Sequence, residues 1–140
     1  MPARRLSDLP PASRVFLDAN IMIYGLSGAS RDCRKLLDRC SLQELTGISL
    51  FETVNEATHK LMLGEAYARG YIRSEKAALL RRHFDAVSGL QTYWRDTERL
   101  LGLNLLFLPL DERILRAAHR ERQAAGLLTN DSMIVACMRR

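Results

Sequence analysis

The chain has 140 residues, of which 47 % are hydrophobic and 26 % charged, enough for one domain with a real core and too few for two comfortable ones. That balance excludes a chain disordered throughout, and no apolar run approaches the ~20 residues that span a bilayer, so a cytoplasmic protein is expected. Lys and Arg number 21 against 16 Asp and Glu, a formal charge of +5 and a pI near 9.5, an excess that favours polyanions such as nucleic acid.

Residues 1–13 carry Pro2, Pro10 and Pro11 and no apolar segment of the signal-peptide kind, and they read as a flexible leader. The domain is expected over 14–140. "RVFL" suits a short buried strand that stops where Asp18 and Asn20 begin. "SRDCRKLLDRCS" has helical spacing with Ser30 as N-cap. It places Cys33 and Cys40 on one face as small buried hydrophobes, and no Cys spacing suggests zinc. "LTGISL" is a second strand, and "FETVNEATHKLML" a helix with Phe51, Val54, Thr58, Leu61 and Met62 along one stripe.

Residues 64–101 are polar and Arg-rich, with Gly64, Gly70 and Gly89 as breaks; two helices forming a raised arm are expected there. "LNLLFLPL" is a third strand. Asp111 then caps a helix that Gly126 ends, and "TNDSMIVACMRR" starts the last helix. Strands alternating with helices predict an α/β domain with a mainly parallel sheet, in which ligands gather at the carboxyl ends of the strands.

Three carboxylates lie in apolar surroundings: Asp18 in "FLDANIMIY", Glu56 in "TVNEATHKLM" and Asp131 in "LLTNDSMIVA". An unpaired buried carboxylate is costly, so a helix cap, a cationic side chain or a metal ion must compensate it. Converging oxygen ligands suit Mg²⁺ or Mn²⁺, and a metal-activated water can attack a phosphodiester. Taken singly, each acid also has a plain role: Asp18 as a cap, Glu56 on a solvated face, Asp131 as an N-cap. Glu56 and His59 form a Glu-x-x-His pair, but a di-iron site needs two such pairs. "YGLSGAS" is not the GxSxG of a serine hydrolase, and no phosphate-binding Gly-rich loop appears. Arg113, Arg116, Arg120 and Arg122 either track phosphates or form a solvated helix face.

"VFLDANIMIY", "ISLFETVNEATHKLM" and "LPLDERILRAAHRERQAAGLLTNDSMIVACM", in this order and spacing, resemble the signature segments of PIN domains, especially VapC-type toxins. The resemblance covers residues 14–140 and is weakest over 64–101. It implies a three-layer α/β/α fold and a Mg²⁺- or Mn²⁺-dependent ribonuclease. Asp18, Glu56 and Asp131 match the family's acidic ligands, and Asn20 the polar residue that orients the first of them or a bound water. Glu52 competes with Glu56, and Asp111 matches a capping position outside the site. A cognate antitoxin, a homodimer and an RNA substrate are implied as partners.

The family pattern continues into a further strand and a fourth acidic residue, whereas this chain stops at Arg140. The resulting expectations are missing C-terminal strands, one metal ion rather than two, and a sheet edge open to pairing. A catalytically inactive PIN-like module that binds RNA or protein is the alternative.

Overall fold

The computed structural model describes residues 5–139 and, of Asn130, the backbone alone. Three parallel strands, β1 (Arg14–Phe16), β2 (Thr46–Ser49) and β3 (Leu106–Phe107), form a sheet in the order β1-β2-β3. Val15 stands opposite Gly47, and Ile48 opposite Leu106. Between β1 and β2 run α1 (Ala19–Ser27) and α2 (Arg31–Ser41). Between β2 and β3 run α3 (Phe51–Ala68), α4 (Ala77–Leu80), α5 (Phe84–Gly89) and α6 (Thr92–Leu101). The last two helices, α7 (Glu112–Ala125) and α8 (Thr129–Met138), pack on each other. The fold is thus mixed α/β with a small parallel sheet.

Side-chain alternation along β1 divides the core as a pleated strand must. Val15 and Leu17 join the larger apolar cluster, built with Met22 of α1, Leu36 and Leu37 of α2, Val54 of α3 and Leu100 of α6. Phe16 points the other way, onto Leu50, Ile114 and Ala118 of the α7–α8 side. Both faces of the sheet are therefore covered. Gly47 lets β2 approach its neighbours closely: a Cβ there would lie 2.7 Å from Leu105 Cδ2 and 3.0 Å from Cys40 Sγ. Cys33 and Cys40 are buried on one face of α2, as their spacing predicts, and Ser30 caps that helix by accepting from the Cys33 N–H at 3.2 Å.

The leader expected over 1–13 lies partly, at residues 1–4, outside the described residues. In the described part, Leu6–Asp8 form a 3₁₀ turn, and Leu6 and Leu9 pack against the core. Arg39 Nη2 donates to the Leu9 carbonyl at 2.9 Å, and the Ala12 N–H to the Glu44 carbonyl at 2.7 Å.

Residues 64–101 hold the end of α3 and three further helices, α4, α5 and α6, rather than two helices. Helix α3 runs through Gly64 to Ala68, and α6 folds back along it. Leu63, Ala66, Ile72, Leu80 and Leu90 form a third apolar cluster under the short helices. One interior glycine costs a helix only about 1 kcal/mol, and this packing outweighs it.

Candidate functional site

The parallel sheet brings its strand ends to one edge, and the elements leaving that edge carry the acids. Asp18 follows β1 and is the N-cap of α1, its Oδ1 accepting from the Ile21 N–H at 2.9 Å. The residue before it is clamped: fully buried Leu17 donates its N–H to the Ile48 carbonyl at 2.9 Å and accepts the Ser49 hydroxyl at 2.9 Å. Both backbone groups of Leu17 are thus satisfied by β2, which fixes where the Asp18 carboxylate emerges.

Glu56 lies in the second turn of α3, half exposed, 3.5 Å from Lys60 Nζ one turn later. The same ammonium donates to Asn20 Oδ1 at 3.2 Å, tying α3 to α1 across the mouth of the site. Asp131 sits exposed in the first turn of α8, whose N-cap is Leu128, so it is not the cap residue itself. Its neighbour Ser132 is fully buried, donates to the Thr129 carbonyl at 2.7 Å and accepts from Arg122 Nη1 of α7 at 3.0 Å. That network seats the start of α8. Asp18 and Asp131 stand at helix N-termini, where the helix dipole favours negative charge; Glu56, in the second turn of α3, lies beyond that reach.

Asp18, Asn20, Glu56, Lys60 and Asp131 line one open cleft of about 510 Å³. The three acids chosen from the sequence therefore share a surface. Glu52 does not line it, and Asp111 caps α7 through a 3.0 Å bond from the Ile114 N–H. His59, the other half of the Glu-x-x-His pair, lines an adjoining groove of about 810 Å³ that shares Asn20 and Lys60 with the acidic cleft.

Hard divalent cations take such an all-oxygen donor set. As placed, no three His, Cys, Asp or Glu side chains among the described residues stand close enough to hold an ion together. Glu56 is turned to Lys60, which supplies a counter-charge in the cleft. The plain readings hold beside the functional one: Asp18 is a cap, and Glu56 lies on a solvated face.

Lys60, Ser49 and Ser132 are the residues in and behind the site that sequence reading missed, and Arg122, read as phosphate-tracking or solvated, bonds Ser132 instead. Ser49 and Ser132 left a faint signal as lone hydroxyls in apolar runs; Lys60 left none beyond its i,i+4 spacing from Glu56. No helix among the described residues is long and apolar enough to cross a membrane. Comparison with family models, curated proteins and solved structures finds no match.

Proposed function

We propose that the chain is a metal-dependent endoribonuclease with a three-layer α/β/α, PIN-like architecture, acting as the toxin of a type II toxin-antitoxin pair. The carrying observation is that Asp18, Glu56 and Asp131, borne on three separate elements, line one cleft. The carboxylates of these residues would hold Mg²⁺ or Mn²⁺. When bound, the ion supplies a water activated for attack on a phosphodiester and stabilises charge on the phosphoryl oxygens.

The chain's own groups do the rest. The cap bond from Ile21 holds the Asp18 carboxylate in one orientation. Asn20, on the first turn of α1, orients Asp18 or a water beside it. Lys60 neutralises Glu56 while the cleft is without substrate and offers its N–H groups to a phosphate oxygen when RNA enters. A small antitoxin and a second copy of the chain are the partners in this reading.

The test is cleavage of a mixed RNA pool with Mg²⁺, with Mn²⁺ and with chelator, beside Asp18→Asn. Asn is as good an N-cap as Asp, so this variant keeps the fold and loses the charge. Metal-dependent cleavage should fall by about 100-fold or more with an unchanged melting temperature. Full activity in Asp18→Asn would sink the assignment. Absence of cleavage in the parent, with no thermal stabilisation by millimolar Mn²⁺, would favour the inactive binding module.

A further inference from the structure

Helix α7 turns a row of arginines toward the end of α8. Arg113, Arg116 and Arg120 of α7 and Arg139 of α8 line one cleft of about 540 Å³. Its floor is apolar, made by Ile114, Ala117 and Ala136. Two of the four guanidinium groups are paired: Arg116 with Glu112, and Arg139 with Glu121 at 2.6 Å. Among the described residues, Arg113 and Arg120 have no salt-bridge partner. Arg122 stands apart from the row, committed to Ser132.

Glu112 and Glu121 offset Arg116 and Arg139, so Arg113 and Arg120 leave two positive charges over an apolar floor that a bound anion would offset. Their planar forks match phosphate oxygens. The cleft lies within reach of the acidic cleft along α8. Arg139, the C-cap of α8, follows Asp131 by eight residues, about 12 Å along the axis and about 80° around it by helix geometry. At about 3.4 Å a nucleotide, that is roughly three or four stacked nucleotides.

We infer that the arginine cleft of α7 and α8 is a phosphate-tracking subsite for single-stranded RNA, holding the backbone a few nucleotides from the bond at the acidic cleft. The inference rests on the ribonuclease reading for its choice of RNA over other polyanions. Arg113 and Arg120 grip the backbone, while Arg139, held by Glu121, forms the wall nearer the end of α8.

The experiment is fluorescence anisotropy of a labelled 12-nucleotide single-stranded RNA in chelator, so that binding is read without turnover. Arg113→Gln/Arg120→Gln is compared with Arg31→Gln/Arg34→Gln, which removes equal charge from exposed positions on α2. The first pair should weaken binding roughly tenfold and reduce the slope of log K against log salt by about 1.4, about 0.7 for each phosphate no longer neutralised. The control should leave both near the parent's values. Equal losses in the two variants, or none in either, would overturn the subsite. Competition by polyglutamate as effective as by unlabelled RNA would overturn the nucleic-acid assignment. Cleavage is scored separately with metal, so arginine-dependent binding without cleavage would refute the nuclease reading and leave the subsite standing.

Discussion

Helix α6 starts without a cap of its own: Gln91 at its N-cap makes no side-chain bond to the first turn. The missing cap comes from α3. The Glu65 side chain, 6 % exposed, accepts through Oε1 from the N–H groups of Gln91 at 2.9 Å and Thr92 at 3.1 Å, and through Oε2 from that of Tyr93 at 2.9 Å. Arg69 adds an ion pair at 3.0 Å. Burial alone would push the carboxyl's pKa up, but the three N–H donors and the Arg69 guanidinium together leave it below the ordinary carboxylate value.

In Glu65→Gln, Oε1 can still serve Gln91 and Thr92, while the amide NH₂ faces the Tyr93 N–H, donor against donor. A hydrogen bond to a charged group is worth about 1.5–3 kcal/mol, and the half-exposed Arg69 pair adds at most about 1. The expected loss is about 2–3 kcal/mol, roughly 10 °C in melting temperature for a domain of this size. The check is urea unfolding of parent and variant from pH 7 downward. A depressed folded-state pKa means that Glu65 contributes fully above its unfolded pKa and stops contributing as pH falls through the folded one. The gap between the proteins should therefore close in acid. A loss under about 0.5 kcal/mol at pH 7, or one undiminished at low pH, would refute the reasoning.

Gly47→Ala should destabilise by about 1–3 kcal/mol, because its Cβ must displace Leu105 and Cys40; urea unfolding indistinguishable from the parent's would contradict that close approach. Lys60→Met should leave stability nearly unchanged, since the Lys60–Glu56 pair is exposed. By removing a positive charge from the cleft, it should also tighten Mn²⁺ binding several-fold in a thermal-shift titration. Weaker or unchanged Mn²⁺ binding in that variant would show that Lys60 is not the cation holding Glu56's place.

Strand and helix order was legible because each element carries its own local signal. Gly126 closes α7 in the left-handed conformation, Asp111 opens it, and Ser30 opens α2. What escaped was set by tertiary packing. Residues 19–28 were harder to read, because "ANIMIYGL" is nearly all apolar and shows no helical stripe; the segment folds as α1 against α2, between the Asp18 cap and a left-handed Gly28. The third strand is shorter than its apolar run, only Leu106–Phe107, with Phe107 stacked on Phe51 at 4.3 Å between ring centroids. The return of α6 along α3 depends on Glu65, whose carboxylate accepts from N–H groups 26 to 28 residues away. No periodicity within either helix encodes that pairing.

For the acids, the sequence posed a choice between capping and ligation that the geometry does not require. A carboxylate has two oxygens and about four lone-pair sites, and the Ile21 N–H bonds to Oδ1 alone at 2.9 Å. The cap restrains the rotamer of Asp18, and the Leu17 clamp fixes its backbone. Both reduce the entropy that a ligand would otherwise have to remove on binding. Glu56 differs: its partner Lys60 is a long flexible chain on the solvated side of α3, and can yield to another cation at little cost. One acid is thus held in place by the backbone and another by an exchangeable ammonium. In the proposed metal site the first would be a ligand already oriented, and the second one released by exchange of its ammonium.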